Sequence, residues 1–166
     1  MIWSILVILA AVVTLVILAR RLPDARKLRQ ETKQVSAQEM SLYGLIAQAD
    51  EAFERRRYQE AENLYVKAAV NDPDNPKIYS RLGAIYLEQK NFYDAKDAFS
   101  HAAKLEPDLA SRHINLGLAF MGLKDYFKAS EEFEAALKLD KKNKKYKSLL
   151  DRAQKLLERD KKKNKN

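Results

Sequence analysis

The first nineteen residues are almost entirely apolar. From Ile2 to Ala19, only Ser4 and Thr14 are polar, and the other residues are Leu, Ile, Val, Ala and Trp3. A helix of that length extends roughly 27 Å, which is close to the thickness of a bilayer core. The run is longer than the apolar stretch of a cleaved signal peptide, and cations follow it instead of preceding it. The pattern therefore favours an uncleaved transmembrane signal anchor over residues 1–21.

Basic residues follow this apolar run closely, namely Arg20, Arg21, Arg26, Lys27 and Arg29. The positive-inside rule then predicts a single-pass membrane protein with its N-terminus outside and the rest of the chain in the cytoplasm. Residues 22–41 are predicted to form a basic neck or linker. Ser36 followed by Glu39 matches a capping box, which predicts that the first helix after the neck begins near Ala37.

After the neck, apolar positions recur with a period of 34 residues. The positions in register are Tyr58, Phe92 and Tyr126; Ala61, Ala95 and Ala129; Tyr65, Phe99 and Phe133; and Ala68, Ala102 and Ala136. Small residues suit places where two helices of one hairpin approach closely, and large residues fill the space to the next hairpin. A lone hairpin cannot bury its apolar face, so the units are expected to stack.

The second unit carries the fullest set of signature residues, which are Tyr79, Leu82, Gly83, Tyr86, Ala95, Phe99, Ala102 and Pro107. In these positions the chain resembles the tetratricopeptide repeat family, whose unit is a helix–turn–helix of 34 residues. The resemblance implies three units over residues 42–143, at 42–75, 76–109 and 110–143. The first unit departs from the pattern, because Gln48, Ala49 and Ala52 replace the usual Leu, Gly and aromatic residue.

The residues after the third unit predict a cap. Apolar residues between 144 and 160 recur at steps of three and four, as expected for an amphipathic capping helix. Residues 161–166 are predicted to be a disordered, Lys-rich tail. The whole chain is thus predicted to be all-α, with an N-terminal single-pass transmembrane helix, an α-solenoid of three helix–turn–helix units and a C-terminal capping helix.

The resemblance implies a concave groove, lined by the first helix of each unit, that binds a protein partner. Seven groove positions hold sizeable apolar side chains: Tyr43, Ile46, Phe53, Leu87, Ile114, Leu118 and Met121. One interpretation is that a partner helix or extended segment docks on this apolar surface. The alternative is that the capping helix or the neck folds into the groove and buries these residues as core.

Some members of the family hold the acidic C-terminal tails of chaperones in a clamp of Lys, Asn and Arg side chains. The matching positions here are Ile46, Asp50, Arg81, Ser111 and Asn115. Only Arg81 and Asn115 offer side-chain N–H donors, and Asp50 would repel a carboxylate. The resemblance therefore argues against chaperone-tail binding by this chain.

The net charge of +8 is unevenly distributed. Residues 42–140 contain thirteen Lys and Arg against seventeen Asp and Glu, whereas residues 141–166 contain twelve against three. The candidate contacts to an anionic surface are Lys141, Lys142, Lys144, Lys145, Lys161, Lys162 and Lys163. They are either a solubilising cap or a contact to anionic lipid headgroups. Nucleic-acid binding is the third possibility, and the lack of interleaved aromatic residues argues against it.

No pattern in the chain indicates catalysis. There is no cysteine, and neither His101 nor His113 has further ligands at a metal-binding spacing. A Gly-rich phosphate loop and a nucleophile elbow are also missing from the sequence. We therefore expect a non-enzyme without cofactor, metal or catalytic residues. The predicted function is a membrane-anchored scaffold or adaptor that docks a partner segment, in assembly or targeting of a membrane-associated complex. The alternative is polyanion binding through the basic tail.

Overall fold

The computed structural model describes residues 25–163, which form seven helices joined by short turns. Their bounds are α1 Ala25–Glu54, α2 Tyr58–Asn71, α3 Pro76–Glu88, α4 Phe92–Leu105, α5 Ala110–Gly122, α6 Tyr126–Leu139 and α7 Lys144–Lys163. The chain divides into two compact parts, residues 1–41 and residues 42–166. The second part contains three helical hairpins, formed by the end of α1 with α2, by α3 with α4, and by α5 with α6. This part of the chain is the predicted all-α solenoid.

The predicted membrane anchor, residues 1–21, lies outside the described residues. Within residues 25–163, no helix has both the length and the apolar character that a membrane crossing requires.

The predicted helix start near Ala37 is wrong, because α1 begins at Ala25 and continues through Ser36. Residues 25–36 contain neither Gly nor Pro, and half of them are Lys, Arg or Gln, which favour the helix. The capping-box pattern at Ser36 therefore lies inside a helix.

Each hairpin closes on a contact between a small residue and an aromatic ring. A Cβ atom added to Gly83 of α3 would lie 2.6 Å from the ring of Phe99 on α4, and one added to Gly117 would lie 2.5 Å from Phe133. Both rings are fully buried or nearly so. In the first unit Ala49 is the small residue in register, and it shares a buried cluster with Tyr65. The three units thus keep the predicted packing although the first departs from the signature.

The turn inside each hairpin contains a basic residue with positive φ, at Arg56, Lys90 and Lys124. In the second unit the Lys90 N–H donates to the carbonyl of Leu87 at 3.0 Å, and the Asn91 N–H donates to the carbonyl of Tyr86 at 2.8 Å. These two bonds satisfy free carbonyls at the end of α3 in the manner of a Schellman motif. The side chain of Asn91 then caps α4.

Helix α7 continues the period of 34 residues. Asn143 accepts from the backbone N–H of Lys145 at 3.1 Å, just as Asn75 accepts from Lys77 at 3.1 Å. Leu150 is buried in α7, 34 residues after the buried Leu116. The helix therefore occupies the place of the first helix of a fourth unit. It ends at Lys163, three residues later than the predicted end of the cap at residue 160. Lysines in its last turn favour this extension, because they interact well with the helix dipole.

We predict that Gly83→Ala lowers the free energy of unfolding by about 1–3 kcal/mol, because the added methyl group would overlap the buried ring of Phe99. Urea denaturation of residues 22–166 measures the change. Gly44→Ala is the matched control, since a Cβ there meets no atom within 4 Å. In a helix this control should be neutral or more stable by about 0.5–1 kcal/mol. Equal effects at both glycines would show that the ring contact does not set the helix spacing.

Candidate peptide-binding groove

A cavity of about 830 Å³ opens along the first helices of the hairpins. Most of the helical residues that line it belong to α1 and α3, and α5 contributes residues of its N-terminal half. The lining residues are Tyr43, Ile46, Asp50, Tyr65, Asp72, Asp74, Asn75, Pro76, Lys77, Ile78, Ser80, Arg81, Ala84, Glu106, Arg112 and Asn115.

One side of the cavity is built on an ion pair that a buried tyrosine holds in place. Arg81 Nε lies 3.0 Å from Asp50 Oδ1, and the Tyr65 hydroxyl donates to the same oxygen at 2.5 Å. Burial, followed by the hydrogen bond to Asp50, raises the pKa of Tyr65 well above its usual value, so the hydroxyl remains a neutral donor. The guanidinium of Arg81 also lies 5.7 Å from the ring centroid of Phe53. Asp50 is thus satisfied by donors of the chain itself.

The other side is built on a buried arginine. Arg112 is 8 % exposed, and its Nε donates to Glu106 Oε2 at 2.8 Å while its Nη2 donates to the same oxygen. Its Nη1 donates to Ser80 Oγ on α3 at 2.6 Å. The equivalent position of the second unit holds the buried Ile78. A buried guanidinium requires such partners, and the sequence analysis missed this residue although a charge at an apolar register position was visible.

The charges that line the cavity nearly cancel. Four carboxylates and three cations face it, but Arg81 and Arg112 are each paired with a carboxylate. Asp72, Asp74 and Lys77 remain, which leaves about one net negative charge. The groove is therefore mixed in character, and both of its arginines are already paired.

Two of the seven apolar groove candidates, Tyr43 and Ile46, line the cavity. Tyr43 is 70 % exposed and Ile46 is half-buried. Phe53 is half-buried, and its ring lies edge-on to the ring of Tyr58 at 5.8 Å. Leu87 is half-buried against the cluster that contains Phe99.

The three candidates of the third unit pack with the C-terminal helix. Ile114 is 6 % exposed and belongs to the same buried cluster as Leu150 and Ala153 of α7. Leu118 and Met121 are half-buried against that cluster. The structure thus joins Tyr43 and Ile46 in an open cavity and places the third-unit residues in the core below α7, as in the alternative interpretation.

His113 connects three elements beside the groove. Its Nδ1 lies 2.8 Å from Glu132 Oε2 on α6, and its Nε2 lies 2.8 Å from the carbonyl oxygen of Pro107 in the turn before α5. Both partners are acceptors only, so both nitrogens donate when the ring is an imidazolium. Burial acts to lower the pKa of His113, but the hydrogen bonds to Glu132 and Pro107 and the charge of Glu132 outweigh it and raise the pKa.

The lysine candidates for an anionic surface lie on α7 and on the turn before it, and all seven are exposed. Lys161 pairs with Glu158 at 3.3 Å. As for metals, residues 25–163 contain no group of three or more His, Asp or Glu side chains placed to hold an ion.

Profiles of the tetratricopeptide repeat family match residues 52–113 and residues 110–143. Together the two matches cover more than half of the chain. The protein therefore belongs to the tetratricopeptide repeat family, as the signature residues of the second unit predict.

The structure resembles that of the first tetratricopeptide repeat domain of Spaghetti (RPAP3) bound to the HSP90 peptide SRMEEVD. The identity is 23 %, over 70 % of this chain and 92 % of that one, with a TM-score of 0.67. The tetratricopeptide repeat domain of Sgt2 from Aspergillus fumigatus matches at 23 % identity, over 74 % of this chain and 82 % of that one, with a TM-score of 0.68.

A mutant O-GlcNAc transferase of Thermobaculum terrenum matches at 24 % identity and a TM-score of 0.63. The match covers 70 % of this chain but 22 % of the enzyme. At these identities the likeness establishes the fold alone. No curated protein sequence gives a significant match.

We predict that the free energy of unfolding falls as the pH rises through the raised pKa of His113. The imidazolium gains its two partners only on folding. Its contribution to the free energy of unfolding is therefore complete below the pKa of His113 in the unfolded chain, about 6.5, and is lost above the raised pKa in the folded chain. Urea denaturation at a series of pH values measures the slope. His113→Asn should abolish this part of the slope, and the exposed His101→Asn should retain it. A slope that survives His113→Asn would contradict the assignment.

Proposed function

We propose that this protein is a non-enzymatic interaction module that docks a segment of a protein partner in its groove. The observation that supports this function most directly is the open cavity between α1 and α3, which residues 25–163 leave unfilled. Tyr43 stands at its edge with 70 % of its surface exposed. An exposed aromatic side chain beside a cavity is the typical anchor of a peptide-binding surface.

The proposed partner segment is neutral or basic and partly apolar. The cavity holds about one net negative charge, and the guanidinium groups of Arg81 and Arg112 are occupied by Asp50 and Glu106. An acidic segment would have to displace these pairs, whereas an apolar side chain can contact Tyr43 without disturbing them.

Chaperone tails are acidic, and one structural neighbour holds the HSP90 peptide SRMEEVD. In this chain Asp50 occupies one of the clamp positions, and its carboxylate pairs with the Arg81 side chain of another. We therefore propose that the groove takes a different class of peptide from that neighbour.

We further propose that residues 1–21 anchor the module in a membrane, with the N-terminus outside and the repeats in the cytoplasm. The support is the apolar run from Ile2 to Ala19 and the cations that follow it. Tethering would raise the local concentration of the groove for partners at the same membrane, as in assembly or targeting of a membrane-associated complex.

The groove proposal predicts a crosslink from one tyrosine position and not from another. A photoreactive phenylalanine analogue in place of Tyr43 should form an adduct with the partner in native membranes. The same replacement at Tyr93 of α4 should form none, although its side chain is equally exposed at 71 %. The adduct would be detected by mass spectrometry. Tyr43→Glu should weaken capture of the crosslinked partner by roughly thirtyfold or more, as for an aromatic hot spot. Equal crosslinking at both positions would contradict a groove-specific contact.

The charge argument predicts that the SRMEEVD peptide binds this protein weakly and that Asp50→Asn strengthens the binding by roughly tenfold, or about 1.4 kcal/mol. The substitution removes a repelling carboxylate and releases the guanidinium of Arg81. Fluorescence anisotropy of a labelled peptide measures the affinity. Asp97→Asn is the matched control, because it also releases a cation, Lys96, from a 2.7 Å pair but lies outside this cavity. Tight binding to the unaltered protein would contradict the argument.

A further inference from the structure

Helix α7 presents a stripe of cations that the groove does not use. The stripe consists of seven exposed side chains: Lys144, Lys145, Arg152, Lys155, Arg159, Lys162 and Lys163. At 3.6 residues per turn they fall within a sector of about 100° of the helix circumference. The stripe runs roughly 30 Å along the helix axis.

The stripe is also free of carboxylates. Of the three acidic residues of α7, Asp151 and Glu158 lie about 20° and 40° beyond one edge of the sector, and Asp160 lies about 60° beyond the other. Glu158 is paired with Lys161, which lies outside the sector too. Within the described range, none of the seven stripe cations takes part in an ion pair. Their charges therefore sum to a net positive potential along the helix, which the bordering carboxylates reduce.

The opposite side of α7 packs against the rest of the solenoid. Leu150 and Ala153 are buried in a cluster with Phe133 of α6. Because this apolar face is covered, α7 cannot insert into a bilayer as a free amphipathic helix does. What it presents to its surroundings is charge.

We propose that this stripe contacts the anionic headgroups of a membrane surface. Seven cations on one face of the helix match the dense negative charge of an anionic leaflet. The electrostatic attraction between them falls off within about a Debye length. The choice of a membrane over another polyanion rests on the proposed anchor, which would hold the stripe at a high local concentration of lipid. The stripe also contains no aromatic residue on which a nucleobase could stack.

The stripe differs from the candidates that the sequence suggests. Arg152, Lys155 and Arg159 lie in its middle, between the two predicted lysine clusters. Lys141 and Lys142 precede the helix, and Lys161 faces another direction and pairs with Glu158.

The test places a fluorescent probe inside the stripe. The chain has no cysteine, and Ser148 is exposed within the same sector, so Ser148→Cys gives a single labelling site. The labelled full-length chain is added to vesicles that carry a headgroup quencher. One set consists of phosphatidylcholine alone and the other of equal parts phosphatidylcholine and phosphatidylserine. We expect quenching with phosphatidylserine and a decrease of that quenching on adding salt.

The variant Arg152→Gln, Lys155→Gln, Arg159→Gln should lower the apparent lipid affinity of the probe site at least about tenfold, since each cation near an anionic surface contributes a factor of about five. The matched control is Lys67→Gln, Lys104→Gln, Lys138→Gln, which removes the same charge from exposed positions on α2, α4 and α6. The control should quench like the unaltered chain. Equal loss in both triple variants would show that net charge, and not the stripe, is responsible and would overturn the proposal.

Other outcomes are equally decisive. Quenching that does not depend on phosphatidylserine would overturn the proposal. So would a probe response to a single-stranded oligonucleotide but not to lipid, which would assign the stripe to nucleic acid. Retention of the chain on phosphatidylcholine vesicles at high salt reports the anchor alone. If the chain is not retained, the proposal that residues 1–21 anchor it is wrong. The dependence of the probe signal on phosphatidylserine still tests the contact of the stripe with lipid.

Discussion

The contact between a small residue on the first helix of each hairpin and an aromatic ring on the second sets the spacing of the whole solenoid. Gly83 allows the ring of Phe99 to lie where a Cβ atom would otherwise be, and Gly117 does the same for Phe133. The rings are buried because the helices approach this closely, and the hairpins can then stack with their first helices side by side. The groove along α1, α3 and α5 is a consequence of that stacking.

The first hairpin varies this contact in a way that determines the chemistry of the groove. Its ring belongs to Tyr65, whose hydroxyl reaches from the core to Asp50. Asp50 in turn holds Arg81, so a residue in a packing position determines which cation of the groove is occupied. Packing and recognition are therefore coupled at this end of the solenoid, since removal of the hydroxyl would leave the Asp50 carboxylate with one donor fewer.

Sequence periodicity predicted the hairpins well, because a period of 34 residues reports directly on which positions must be buried. It marks Arg112 as a charge at an apolar register position but does not identify its partners, since Glu106 and Ser80 lie 6 and 32 residues away and meet it only in the folded chain. The start of α1 was mispredicted because a local capping pattern competes with the helix propensity of the residues before it. Among the apolar groove candidates, Ile114 is buried against α7 whereas Tyr43 is exposed. The sequence around each residue does not indicate this difference.

Helix α7 occupies the place of the first helix of a fourth unit, and it also carries the row of cations. In an internal unit, the next hairpin covers one side of the first helix, but α7 has no such neighbour among the described residues. An apolar surface there would invite a further repeat or a second chain to stack. Lys144, Lys155 and Lys162 lie exposed on α7 instead, and they keep its solvent-facing side hydrated. Within residues 25–163 no ion pair neutralises these charges, so the residues that keep this side of α7 polar also form the surface that can meet an anionic one.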